Sequence, residues 1–299
     1  MWRCPLMHYM YGIQIGKPVM LALPFPEFDP VALSFYSIEV RWYGLSYMAG
    51  LLLGWLYIRR LVSTPSLWPF GKAPFSADKV DDLLLFMTVG VIVGGRLGSV
   101  LLYEPGYYTD NPFEILAVWK GGMAFHGALI GCGAAVSVFA WRNNVSARSA
   151  MDVCTAAVPI GLVFGRLANF INGELFGRPT DMPWGMVFPS AKFDFPNLEP
   201  LVRHPSQLYE AALEGVALFL LLRLLTHSKG ALQSPGLITG MFLIGYGCAR
   251  SFSELFRQFD VHHAFSAYGL TPGIVYSIPM ILLGIWFVRT AGARQKSFA

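Results

Sequence analysis

The sequence predicts an all-α, polytopic membrane protein: a bundle of about seven transmembrane helices, N-terminus outside and C-terminus cytoplasmic, with a small subdomain on the outer face. Three observations predict it. Of 299 residues, 55% are hydrophobic and 13% charged, whereas a soluble domain carries about 25% charged residues. Apolar runs close to the ~20 residues that cross a bilayer recur along the whole chain. Lysine and arginine crowd the short connections on one side of these runs, which sets the orientation.

The runs lie at about 43 to 62, 83 to 103, 122 to 141, 151 to 171, 207 to 226, 236 to 256 and 270 to 289. Basic residues divide eleven against eight between the two sides, and the larger set sits in short loops and span ends, as Arg59, Arg60, Lys72 and Lys79 do. By the positive-inside rule that side is cytoplasmic. The outer connections hold the turn chemistry. "EPGYYTDNP" (104 to 112) is a short outer loop. Residues 172 to 206, interrupted by prolines at 179, 183, 189, 196, 200 and 205, are too broken to span and long enough for an outer insertion. Residues 1 to 23 lack a long apolar core between a basic start and a small-residue cleavage site, so they read as an N-terminal extension rather than a signal peptide. The spans leave no room for a soluble domain, so 24 to 290 reads as one transmembrane domain and 291 to 299 as a cytoplasmic tail.

Composition also excludes functions. The net charge of +4 is scattered among apolar spans, with no clustered basic face for nucleic acid. Cys4, Cys132, Cys154 and Cys248 have no CxxC spacing and read as free thiols. His8, His204, His227, His262 and His263 lack metal-ligand spacing with acidic or cysteine partners, so no metal is assigned. No P-loop, HExxH or GxSxG occurs. No internal repeat is found, which weighs against a transporter or flippase of repeated halves, the main rival to an enzyme.

Three arginines fall inside spans: Arg96, Arg166 and Arg250. In the orientation above each lies in the outer part of its span, level with His126 and Tyr43 at the outer ends of their own spans. An intramembrane charge marks a bundle interior or watery cavity, although an arginine near a span end also snorkels to headgroups. Arg166 and Asn169, at i and i+3, share a helix face in "GRLANFINGELFGR" (165 to 178). Tyr246, Arg250, Glu254 and Arg257 form one helical stripe, readable as a salt-bridge ladder or an anion site. One glutamate between two arginines predicts a net positive, outward-facing pocket. Arginine's planar fork suits a phosphate there, and a phospholipid is the anion found at that depth.

The segments "RWYGL" (41 to 45), "MAFHGALIG" (123 to 131), "GRLANFINGELFGR" and "ARSFSELFRQFD" (249 to 260) resemble, in order and spacing, the motifs of bacterial prolipoprotein diacylglyceryl transferases. The likeness covers about residues 24 to 290. Ala128, Ala168 and Phe176 depart from the usual residues. The resemblance implies a multi-pass transferase of the bacterial inner membrane with its active site on the periplasmic side. It implies transfer of the diacylglyceryl group of phosphatidylglycerol to the lipobox cysteine of a preprolipoprotein, forming a thioether and releasing glycerol 1-phosphate, the first step of lipoprotein maturation. Membrane lipids and the two substrates are then the partners, and no cofactor is implied. Arg166 and Arg250 match the phosphate and headgroup ligands. His126, Tyr43, Asn169, Glu174, Gly177, Glu254 and Arg257 occupy the other motif positions, with Tyr246 on the same stripe. His126, Arg166, Arg250, Tyr43 and Glu254 are the catalytic candidates. Arg166, Asn169, Arg250, Glu174, Gly177, Arg257 and Tyr246 are the lipid-binding candidates. The substrate thiol, with a pKa near 8.5, must lose a proton. Whether His126 or a carboxylate such as Glu254 takes it stays open at the level of sequence.

Overall fold

Helical backbone overlies each predicted apolar run in the computed structural model, which describes residues 23–26, 28–36, 38–190, 201–258 and 271–297. Residues 1 to 22 of the predicted extension, the centre of the outer insertion (191 to 200), His262 and His263 lie outside the described residues. The helices are α1 (Trp42–Val62), α2 (Lys79–Gly98), a short α3 (Pro105–Asp110), α4 (Phe125–Arg142), α5 (Ala147–Ile171), α6 (Ser206–Glu210), α7 (Leu218–Ser228), α8 (Leu237–Glu254) and α9 (Pro272–Ser297). A π-helical stretch, Ala211–Ala217, joins α6 to α7, and another, Ser99–Tyr103, extends α2. Among the described residues three segments, Lys79–Leu101, Ala147–Ile171 and Pro272–Ala291, are long and apolar enough to cross a membrane. Their outward faces carry exposed Leu85, Val93, Leu282 and Trp286. Hydrocarbon is the solvent that suits such faces.

Close helix approach comes from small residues, the usual device where lipid supplies no hydrophobic drive between helices. A Cβ on Gly94 would stand 2.4 Å from the Gly127 carbonyl oxygen, and one on Gly131 would stand 2.1 Å from that of Gly90. Backbone of α2 therefore lies directly against backbone of α4. Gly240 and Gly284 join α8 to α9 in the same way: a Cβ on either would stand 2.8 Å from the other's carbonyl oxygen.

One end of the bundle is an apolar core of Leu61, Leu83, Phe139, Val153, Leu222 and Ile238, all buried. Phe139 sits between Phe75 and Phe86, ring centroids 5.2 and 5.9 Å away. Buried Asp152 of α5 caps another helix there: its carboxylate accepts from Gly236 N (2.7 Å), Thr239 N (2.8 Å) and Thr239 Oγ1 (2.6 Å) at the start of α8.

At the other end the all-α expectation needs a small addition. Strands β2 (Val31–Phe35) and β3 (Ile38–Arg41) form an antiparallel hairpin leading into α1. Strand β1 (Leu23–Pro24) pairs in parallel with β4 (Met186–Val187), which pairs antiparallel with β5 (Val202–Arg203). The outer insertion thus recruits chain that precedes the first helix. Phe25, Phe170, Phe176 and Phe188 pack beneath it.

Candidate functional site

The site begins with the break in α5. Arg166 and Asn169 project from its last turns, and Gly173, in the left-handed region at φ 66°, ends it. Leu175 also has positive φ (57°), a conformation an L side chain resists, so its surroundings must hold it. Two buried residues of α6 do so. Gln207 Nε2 donates to the Glu174 carbonyl at 2.6 Å and Ser206 Oγ to that of Leu175 at 3.1 Å. Asn169 Nδ2 donates to Glu174 Oε1 at 2.7 Å, which turns that carboxylate back over α5.

Glu174 faces an open cavity of about 420 Å³ lined also by Pro30, Arg41, Tyr43 and Asn172. The Tyr43 hydroxyl lies 3.1 Å from that of Tyr47. Tyr43, Asn169 and Glu174, three predicted site residues from two distant segments, therefore meet.

Below them the chain assembles a six-charge network. Glu210, 1% exposed at its side chain, contacts all three arginines: Arg166 Nε at 2.7 Å, Arg250 Nη1 at 3.1 Å and Arg257 Nη1 at 2.6 Å. Glu214, fully sealed, lies 3.2 Å from Arg166 Nη2 and 3.7 Å from Arg250 Nη1. Glu254 lies 2.9 Å from Arg250 Nη2 and 3.6 Å from Arg257 Nε. The guanidinium side chains keep 16–18% exposure while the carboxylates behind them keep 0–8%. The open face of the network is thus cationic, although its total charge is zero, three arginines against three glutamates. This corrects the expected net-positive pocket. Glu210 and Glu214, both inside the fifth apolar run, escape a search confined to intramembrane cations.

The backbone explains why they reach. Glu210 ends α6 and Glu214 lies in the π-helical stretch, whose wider turn is a frequent feature of functional sites. A Cβ on Gly215 would stand 2.4 Å from Val163 Cγ2, so this stretch packs directly on α5, one turn from Arg166. Arg257 is held from the other side. Gly177 bridges to Arg257, its N–H donates to the His204 carbonyl at 2.8 Å, and a Cβ there would stand 2.4 Å from the Phe256 carbonyl oxygen. Gly177 therefore serves as backbone contact, with no side chain to offer a ligand. Burial, then the nearby Arg178 charge, holds His204 below the usual histidine range.

His126 lies at the start of α4, half-buried, its ring 4.6 Å from that of Tyr276 on α9. One turn earlier on α9, Gly273 abuts the Glu254 carboxylate, 2.4 Å from a notional Cβ. Glu254 and His126 thus meet neighbouring turns of one helix. Tyr246 lies one turn before Arg250, stacked on Phe242 at 5.8 Å. Arg96 joins neither group. Buried to 5% exposure, its guanidinium donates to the carbonyls of Glu114, Ile115 (2.9 Å), Ala117 (3.1 Å), Gly121 and Gly122 (3.2 Å). It anchors the loop before α4 rather than snorkelling. Among the described residues no three His, Cys, Asp or Glu side chains form a metal site.

A family model described as prolipoprotein diacylglyceryl transferase matches residues 30–290. The chain is 49% identical over 278 residues to the phosphatidylglycerol-prolipoprotein diacylglyceryl transferase of Rhizobium meliloti (strain 1021), covering 93% of this chain and 95% of that protein. The Nitrobacter winogradskyi protein of the same name is 49% identical over 278 residues, 92% of each chain. That of Agrobacterium fabrum is 46% identical over 285 residues, 95% of this chain and 99% of its own.

Proposed function

The chain belongs to the prolipoprotein diacylglyceryl transferase family and is a transferase, and from that premise we propose that it moves the diacylglyceryl group of phosphatidylglycerol onto the lipobox cysteine of a preprolipoprotein. The single observation that carries the site assignment is the convergence of Arg166, Arg250 and Arg257 on Glu210, with the guanidinium edges open and the carboxylates sealed.

In this reading the headgroup phosphate sits across the open arginine edges. The cysteine sulfur attacks the glyceryl carbon that bears the phosphate ester. The carbon–oxygen bond breaks, a carbon–sulfur bond forms, and glycerol 1-phosphate departs with the electron pair. Arg166 and Arg250 stabilise the charge that grows on the departing phosphate. The thiol proton passes to His126. Glu254 is already engaged by Arg250 and Arg257, which suits it to orienting those groups rather than to accepting the proton. Tyr43, Asn169 and Glu174 bind around the adjacent cavity, and Gly177 keeps Arg257 in place. We further propose seven spans in a domain of residues 24 to 290, outside N-terminus, cytoplasmic C-terminus, inner-membrane location and a periplasmic site, on the distribution of basic residues.

Purified protein incubated with phosphatidylglycerol and a lipobox peptide, followed by mass spectrometry of the peptide, tests the proposal. The expected result is a diacylglyceryl mass gain that disappears when the peptide cysteine is replaced by serine. No gain with an active control enzyme overturns it.

A further inference from the structure

The charge arithmetic of the arginine network leads beyond the assignment of ligands. Three arginines and three glutamates already sum to zero before any phosphate arrives. A phosphate diester adds one negative charge. An uncompensated charge in a low-dielectric site is costly, and the usual relief is protonation of a neighbouring group.

The groups around the added charge come from every element packed there: Arg166 on α5, Glu210 and Glu214 on α6 and its π-helical extension, Tyr246, Arg250 and Glu254 on α8, and Arg257 beyond it. The arginines stay protonated at any relevant pH, and Tyr246 begins neutral, so neither can absorb the charge by gaining a proton. Of the carboxylates, Glu210 touches three guanidinia, and Glu254 and Glu214 two each. Glu214 is held at the longest distances. Its Oε2 faces Arg166 at 3.2 Å, but its buried Oε1 has no hydrogen bond and only Arg250 at 3.7 Å, whereas the equally buried Glu210 Oε2 and Glu254 Oε2 each have a guanidinium nitrogen within 3 Å, at 2.7 and 2.9 Å. An oxygen so placed is available for a proton.

We propose that Glu214 takes up one proton from solvent when an anionic phosphate occupies Arg166, Arg250 and Arg257, so that headgroup binding is coupled to protonation of the buried carboxylate behind the arginines. Glu214 is then a positioning residue. As a carboxylate it holds Arg166 before phosphate binds, and as a neutral acid it releases that guanidinium edge to the phosphate. The inference rests on the phosphatidylglycerol reading above.

Sign and size follow from linkage. The complex binds more protons than the free protein, so affinity rises as pH falls, by up to about tenfold per pH unit for one linked proton. The test is isothermal titration of short-chain phosphatidylglycerol in nonionic detergent between about pH 6 and pH 8, in two buffers of different ionisation enthalpy. Wild type is expected to take up close to one proton on binding within that window. Glu214→Gln, already neutral, is expected to bind more tightly at the upper end, with a flat pH profile and no uptake. A residue that merely supports the fold would give weaker binding with the slope unchanged, and that outcome overturns the inference. Should Glu214→Gln fail to fold, the wild-type measurement decides alone: affinity that does not rise as pH falls, with no proton uptake, overturns the inference. Binding by wild type without proton uptake refutes the inference alone. Binding no better than that of short-chain phosphatidylcholine refutes the phosphatidylglycerol reading and the inference with it.

Discussion

The two ends of the helix bundle bury opposite chemistries. Around Leu61, Phe139 and Ile238 the contacts are apolar, and buried Asp152 turns its lone pairs to capping a helix. Around Arg166 and Arg250 the buried groups are charged, and each carboxylate serves a guanidinium whose outer edge stays open. Burial of an ion pair contributes little net stability, because desolvation offsets most of the Coulomb gain. The charged end therefore costs stability that the apolar end must provide. Stability and chemistry are divided along the helix axis, and mutations at the two ends should separate them.

The largest effect is expected at the apolar end. Phe139→Ala leaves a cavity among Phe75, Phe86 and the helix core, and should destabilise the protein by about 3–5 kcal/mol. Activity per folded molecule should stay near wild type. Thermal unfolding in detergent alongside peptide lipidation measures both, and an activity loss exceeding the folded fraction breaks the division proposed here.

Arg166→Lys is the reciprocal change. It keeps the charge but loses the fork that spans Glu210 and Glu214 and that would grip a phosphate. Loss of a transition-state contact of this kind costs about 10²–10³ in rate, so kcat/KM should fall by that order while the unfolding temperature moves little. Retained activity points instead to arginines that only pin helices to headgroups.

Much of this was legible in the sequence, and the failures share a cause. The apolar runs marked every long helix because helix burial in lipid is written in local composition. Arg166 with Asn169, and Arg250 with Tyr246 and Glu254, were legible because helical spacing places them on one face; Arg257 falls outside that expected helical stripe, because α8 ends at Glu254 and the bridge to Gly177 holds Arg257 instead. Glu210 and Glu214 were not, since their role depends on a π-helical turn and on Gly215 meeting Val163 across two elements. Asp152 was not, because its partners lie more than 80 residues away, at Gly236 and Thr239. Arg96 looked like a pocket residue by depth alone, and only the path of the 105 to 122 loop turns its donors onto five carbonyls.

Asp152→Asn gives an intermediate effect. The amide keeps one acceptor oxygen but brings a donor to where Gly236 N and Thr239 N already donate. A donor placed against donors in a buried site costs about 1–3 kcal/mol. A fall in unfolding temperature without a change in KM for phosphatidylglycerol fits a cap at the end remote from the chemistry. A raised KM would mean that α8 carries the disturbance along its length to Arg250, and the two ends would not be independent.

The smallest effect belongs to the loop that Arg96 anchors. Glu114 sits there half-buried, below the usual carboxylate range because Lys120 and then Tyr107 hydrogen-bond to it, at 2.7 and 2.6 Å. A carboxylate with a depressed value contributes stability above the ordinary carboxylate range and loses it as pH falls through the lowered value. Lys120 and Tyr107 are both exposed, so water and salt screen these contacts and the contribution is slight. Glu114→Gln should remove this acid-side dependence and lower the unfolding temperature marginally at neutral pH, more in low salt than in high. Arg96 needs only the Glu114 backbone carbonyl, so the substitution should leave lipidation unchanged. A marked loss of activity would mean that the Glu114 side chain, and not the backbone alone, holds the path of the loop into α4 and so the position of His126.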